Sequence, residues 1–234
     1  MVAALCRKMG MRSCKEMREA KHVDWRHIDR SATDLAMLGK LSSVLPALER
    51  LYLSGSTVGV LRLAAELGTR ALPAVTTLAF SRTRVGDAGA SALAAALGRG
   101  ALPRLKTLTL NDAAIGDAGL VALAPALRLR PALEALDLSD NPLGDKGLAA
   151  LVAPPPLAGA LPPPTGVLAK LKRLYLGSTQ ITDAGCAALA VALDNGALPA
   201  LEDLFLGCAS VSAAAQEAVR VALARPRAAV PSSS

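Results

Sequence analysis

Residues that commonly do chemistry are few in this chain and poorly arranged for it. Histidine occurs twice, at His22 and His27, both ahead of the repeated region described below. No imidazole there can serve as base for a Ser or Cys nucleophile, the pairing that activates such groups. Cys6, Cys14, His22 and His27 can be written C-x7-C-x7-H-x4-H. That spacing lacks the close Cys–Cys knuckle of structural zinc sites. Four short segments carry Asp beside Gly: Gly86-Asp87-Ala88-Gly89, Gly116-Asp117-Ala118-Gly119, Gly144-Asp145-Lys146-Gly147 and Thr182-Asp183-Ala184-Gly185. Carboxylates can act as general acids and glycines can cradle phosphate, but no Walker or dinucleotide pattern surrounds these. They read instead as helix starts, with Asp as an N-cap accepting from free backbone N–H groups. No catalytic residue, cofactor or metal site is expected, and the chain is not expected to be an enzyme.

The elements around those segments repeat. Six times the chain writes an L-x-x-L-x-x-L-x-L pattern, ending in Leu51/Leu53, Leu78/Phe80, Leu108/Leu110, Leu136/Leu138, Leu174/Leu176 and Leu204/Leu206. Five residues after each pair comes Val58, Val85, Ile115, Leu143, Ile181 or Val211, expected in the core. The alternating pair predicts a short strand with both leucines facing inward. After the turn, pairs such as Leu93/Leu97, Leu123/Leu127 and Leu189/Leu193 predict a helix with one apolar stripe. Cys186 falls on that stripe and reads as a buried thiol. Gly-Ala-Leu-Pro, at 100–103 and 196–199, ends a helix and returns the chain to the next strand. A strand–turn–helix unit cannot bury its leucines alone, so units stack into a curved parallel sheet with helices outside.

This pattern resembles the ribonuclease-inhibitor-like class of leucine-rich repeats over about 45–224. The resemblance implies an α/β solenoid, or horseshoe, with the sheet concave and the helices convex. It has about six repeats and a degenerate N-terminal cap. The class consists mainly of protein-binding molecules: inhibitors, GTPase-activating proteins, receptor sensor arrays and cytoskeletal or ciliary scaffolds. A non-enzymatic scaffold or adaptor is therefore expected, the alternative being a regulator of an enzyme. The position of the class's turn asparagine reads Ser56, Thr83, Ala113, Asn141, Thr179 and Ala209. Ala113 and Ala209 cannot make its side-chain bonds, which predicts looser or hydrated turns there.

Met17, Ala20, Val23 and Trp25 repeat the same spacing faintly, so residues 17–44 read as the cap, with Trp25 a core plug. Residues 1–16 are expected to be a flexible basic segment and 225–234 a disordered tail. A proline-rich insertion at 153–167 reads as a surface loop, with a ligand for a proline-recognising domain as the alternative.

Composition narrows the partners. The chain is 52% hydrophobic but only 2% aromatic, which fits many small repeated contacts rather than an ordinary core. Residues 1–30 hold eight Lys/Arg against four Asp/Glu, and residues 220–234 hold three Arg and no acid. The +7 net charge thus sits at the ends, with none along the middle to form a nucleic-acid groove. No apolar run reaches the roughly 18–20 residues that cross a bilayer. No cysteine pair has C-x-x-C spacing and no secretory h-region is present, so a reducing, cytoplasmic setting is expected. Cytoskeleton or cilium and, from the basic first 15 residues, organelle import are the alternatives.

The residue between each pair of inward leucines faces the concave surface: Tyr52, Ala79, Thr109, Asp137, Tyr175 and Phe205. This column holds three of the chain's five aromatic residues. Arg50, Arg82, Asp112, Asp140, Arg173 and Asp203 flank it. Exposed aromatics among mixed charges suit protein recognition. The expected partner-binding set is Arg50, Tyr52, Arg82, Thr109, Asp137, Arg173, Tyr175, Asp203 and Phe205. A solvated, non-binding face is the alternative.

Overall fold

The computed structural model describes residues 11–26, 31–40, 42, 45–80, 83–152, 168–207 and 210–225. The expectations for residues 1–10, the insertion at 153–167, Arg82, Ala209 and residues 226–234 lie outside that set.

Strand and helix alternate as the leucine spacing predicts. Strands β1 (His22–Trp25), β2 (Arg50–Leu53), β3 (Thr77–Phe80), β4 (Thr107–Thr109), β5 (Ala135–Asp137), β6 (Arg173–Tyr175) and β7 (Asp203–Phe205) form one open parallel sheet in chain order. Helix α1 (Cys14–Glu19) precedes β1, and α2 (Ala32–Lys40) follows it. Then come α3 (Thr57–Glu66), α4 (Gly86–Gly98), α5 (Asp117–Arg128), α6 (Asp145–Val152), α7 (Asp183–Asp194) and α8 (Ala213–Ala224), each after its strand. Strand register places Leu51, Leu78, Leu108, Leu136, Leu174 and Leu204 in one row. All but Leu204 are buried. At about 1.5–3 kcal/mol for each buried leucine, the rows between coils are the main source of cohesion.

The N-terminal unit completes the stack. β1 pairs with β2 so that Val23 meets Leu51 and Trp25 meets Leu53, and Trp25 is buried. Ser31 and Asp34 open α2 as a capping box: Asp34 N–H donates to Ser31 Oγ and Ser31 N–H to the Asp34 carboxylate. Order begins earlier than the sequence suggests, because Ser13 caps α1 by accepting from Glu16 N–H at 3.1 Å. Arg225, placed in the tail by sequence, pairs with Asp194 at 2.6 Å.

Three expectations need correction. Val58 is 54% exposed rather than in the core. The first full repeat starts its helix at Thr57, so Val60 and Leu63 take the inward stripe instead.

Secondly, the Asp residues do not cap their own helices. Each lies in the first turn of its helix and reaches forward to the next coil. Asp87 accepts from Gly116 N–H at 2.7 Å, and Asp117 from Gly144 and Gly147 N–H at 2.7 and 2.8 Å. Asp145 accepts from both the N–H and the hydroxyl of Thr182, and Asp183 from Ser212 N–H. The last glycine of the second, third and fourth segments follows from this. A Cβ on Gly119, Gly147 or Gly185 would stand 2.5, 2.9 or 2.1 Å from the preceding coil's carboxylate oxygen. In the first full repeat Thr57 substitutes, donating its hydroxyl to the Arg84 carbonyl at 2.5 Å.

Thirdly, the Ala113 turn is not left to water. Asn141 Oδ1 reaches back from the next coil and accepts from Ala113 and Ile115 N–H at 3.1 and 3.0 Å. Its Nδ2 donates to the Leu110, Leu138 and Ser139 carbonyls. One buried amide therefore closes two turns.

The Gly-Ala-Leu-Pro returns behave as predicted, with Gly100 and Gly196 left-handed at φ 91° and 82°. Leu72, Leu102, Leu168 and Leu198 also take positive φ, near 50°. That conformation costs a non-glycine residue roughly 1–2 kcal/mol, offset here by burial of each side chain.

Asn141→Ala should lower unfolding free energy by about 2–4 kcal/mol, because buried donors and acceptors on two coils lose partners. Thr179→Ala, which removes the hydroxyl's bond to the Leu176 carbonyl, should cost less, about 1 kcal/mol. Urea melts of the two variants test this order. A second measurement concerns acid. The Ser212 backbone N–H, and then its side chain, hold the Asp183 carboxyl below the ordinary Asp range. A lowered folded-state pKa stabilises above the unfolded value and is lost as pH falls through the folded one. Wild type should therefore exceed Asp183→Asn in stability at neutral pH, and the gap should close on acidification.

Candidate functional site

The alternation that buries the leucines turns every intervening residue outward, and parallel register aligns them. Asp24, Tyr52, Ala79, Thr109, Asp137, Tyr175 and Phe205 form one row across the seven strands. Two residues earlier runs a second row: His22, Arg50, Thr77, Thr107, Ala135, Arg173 and Asp203. Eight of the nine predicted site residues thus lie on one sheet face, Arg82 being outside the described residues. Arg50, Arg173 and Asp203 are exposed, while Tyr52, Thr109, Asp137 and Tyr175 are half-buried. Phe205 is 56% exposed. Ala79 and Ala135 are buried beneath their neighbours.

Within this row the aromatics separate into two places. Tyr52 on β2 and Tyr175 on β6 are four strand steps apart, or roughly 19 Å at about 4.8 Å per step. Tyr175 and Phe205 are adjacent on β6 and β7. The Phe205 ring lies over Gly177 and Gly207, where added Cβ atoms would come within 2.6 and 2.9 Å of it. Those glycines, in the row where other coils carry Ser54, Asn111 and Ser139, make a flat seat that leaves the outer ring face open. Between the aromatic places the surface is acidic. Asp137 holds its own turn by accepting from Ser139 N–H at 3.0 Å. Asp112 and Asp140, both exposed and left-handed, stand at the ends of the adjoining strands.

Sequence reasoning missed Asp24 and Arg26. Arg26 forks onto Asp24, with Nη2 to Oδ2 at 2.6 Å, and its guanidinium lies 4.7 Å from the Tyr52 ring centroid. The signal was available, since the spacing that singled out Trp25 also puts Asp24 in the outward row. Arg26 lies one residue past the strand, where no repeat rule reaches. Among the described residues no group of three or more His, Cys, Asp or Glu is placed to hold a metal, and no helix is long and apolar enough to cross a membrane. Cys186 is buried on α7.

A family model described as leucine-rich repeat matches residues 72–94, 102–124, 131–152 and 167–190. Each match spans a strand, a turn and a helix start of the stack just described. The chain is a leucine-rich-repeat protein. No curated protein matches its sequence significantly. Among solved structures, this leucine-rich-repeat chain is similar to the tropomodulin C-terminal domain of Caenorhabditis elegans. The TM-score is 0.50 at 13% identity, covering 84% of this chain and 93% of that one. Actin-binding site 2 of leiomodin-1 aligns at TM-score 0.49 and 14% identity, covering 84% of this chain and 90% of that one. The tropomodulin likeness is one of fold.

Because its ring rests on the surface, Phe205→Ala should cost less than about 1 kcal/mol of stability, whereas Leu174→Ala in the buried row should cost about 2–5 kcal/mol. Thermal melts of the two variants check that the aromatics can be removed without unfolding the repeat stack.

Proposed function

We propose that this protein is a non-catalytic interaction scaffold that docks a partner protein on its concave sheet face. The exposure of Phe205 is the observation that carries the reading. In a chain with five aromatic residues, one ring is held open to solvent on a seat of two glycines. Exposed, rigidly placed aromatics are the side chains that most often anchor protein interfaces. Tyr52, backed by Arg26, is the second anchor. Thr109 and Asp137 form the polar centre, and Arg50, Arg173 and Asp203 the charged flank. The complementary partner surface is basic or rich in hydrogen-bond donors at its centre. It carries apolar contacts on either side, spaced by roughly the four strand steps between Tyr52 and Tyr175. A reducing intracellular setting goes with this reading, in which the Cys186 thiol is a core side chain.

Affinity capture after brief crosslinking, quantified for wild type and a Tyr52→Ala/Tyr175→Ala/Phe205→Ala variant of verified fold, tests the proposal. Specific partners should fall at least about tenfold in the variant. An unchanged partner set would reject the concave face as the docking surface.

A further inference from the structure

The repeat stack has a second surface of defined chemistry, at the β7 edge. One residue before each strand, the coils carry charges of alternating sign. They pair as Lys21–Glu49 at 3.3 Å, Lys106–Glu134 at 2.9 Å and Lys172–Glu202 at 3.3 Å, with Thr76 in the one neutral place. Glu134 is served from both sides. Its hydrogen bond to Lys106, and further the charge of Lys172 on the next coil, hold its carboxyl below the ordinary Glu range. Glu202 has Lys172 on one side and no described strand on the other. Asp203 likewise pairs in register with Arg173 on one side alone.

The backbone and the apolar row stop in the same place. Between coils, one carbonyl accepts from two N–H groups of the following coil: Glu134 O takes Lys172 and Arg173 N–H, and Lys172 O takes Glu202 and Asp203 N–H. At the strand's other end Leu138 N–H donates forward to Tyr175 O, and Leu176 N–H to Phe205 O. The equivalent groups of the last strand are the Glu202 carbonyl and the Leu206 amide, and no strand lies beyond them among the described residues. Leu204 and Leu206 are half-buried where their counterparts Leu174 and Leu176 are fully buried. The forward carboxylate also ends here, because Ala213 stands where the four preceding coils have Asp.

We propose that the β7 edge is a docking site for an extended partner segment of the pattern Lys-Arg-apolar-x-apolar, added as a parallel strand. The chain carries its own template for this occupant. Lys172-Arg173-Leu174-Tyr175-Leu176 lies against the inner side of Glu202-Asp203-Leu204-Phe205-Leu206. The outer side of the same strand offers the same two acids, the same alternate leucines and free backbone groups. A lysine meets Glu202, an arginine meets Asp203, and two apolar side chains cover Leu204 and Leu206. Main-chain bonds supply adhesion and the charges set register, which is the division of labour in strand addition.

The test uses the intact protein and a fluorescent peptide copying residues 170–177. Anisotropy should show saturable binding. A peptide with glutamate in place of Lys172 and Arg173 should bind at least about tenfold more weakly, since like charges then face Glu202 and Asp203. The Glu202→Lys protein should lose this preference, since Asp203 then favours a basic residue while position 202 opposes one; Glu202 is exposed, and a thermal melt of the variant verifies its fold. In a 15N spectrum the Leu206 amide should shift on titration. Failure of the peptide to saturate, equal binding of the two peptides to wild type, or shifts confined to Tyr52 and Asp137 would each overturn the proposal. So would wild-type self-association abolished by Glu202→Lys, which assigns the edge to a second copy. None of these outcomes depends on the concave-face reading, whose variant leaves Glu202 and Leu206 in place.

Discussion

Leucine packed between consecutive coils is the constraint on which everything else rests. Each strand is three or four residues long, and each coil turns the two apolar residues of its L-x-L pair to the interior. A unit of that size exposes as much apolar surface as it hides, so no coil is stable by itself. Stacking removes the problem at every internal junction. It also forces the strands to be parallel, in register and regularly spaced. The outward rows are a by-product of that alternation: once the leucines face in, Tyr52, Thr109, Asp137, Tyr175 and Phe205 have no other direction to face. The proposed binding surface is assembled from residues far apart in sequence because the core demands it.

Apolar periodicity made the sheet order, the register, the helix positions and the outward row legible in the sequence. It reached even the cap, where Val23 and Trp25 sit in the rows that their spacing assigns. Polar contacts between coils were not legible, and the reason is physical. A spacing rule describes one coil, whereas the carboxylates and Asn141 act across two. Asp beside a helix start has the composition of a cap, yet the N–H groups nearest its carboxylate belong to the neighbouring helix. Ala113 lacks a polar side chain, but Asn141 satisfies the backbone groups of its turn. Val58 is exposed because the first full repeat, which lacks Gly-Asp-x-Gly and is about three residues shorter before its helix, enters that helix early at Thr57. The candidate site was legible as a row of residues, but not as two aromatic places with an acidic centre. That distinction needs strand counting and the glycine seat under Phe205.

The concave face and the β7 edge meet at the same coil. Phe205 closes the outward row while Glu202, Leu204 and Leu206 border the open edge. A partner docked as proposed on one surface would therefore contact the strand that defines the other.

The forward reach of Asp87, Asp117, Asp145 and Asp183 has a consequence for how the molecule comes into being. In each case the carboxylate is earlier in the chain than the helix start it holds. A coil emerging during synthesis meets an anchor that has already been made, and no helix start of this kind waits for residues still to be translated. At these four junctions the anchor precedes what it holds, whereas Asn141 reaches the opposite way, from a later coil to the Ala113 turn, so one coil is fastened in both chain directions.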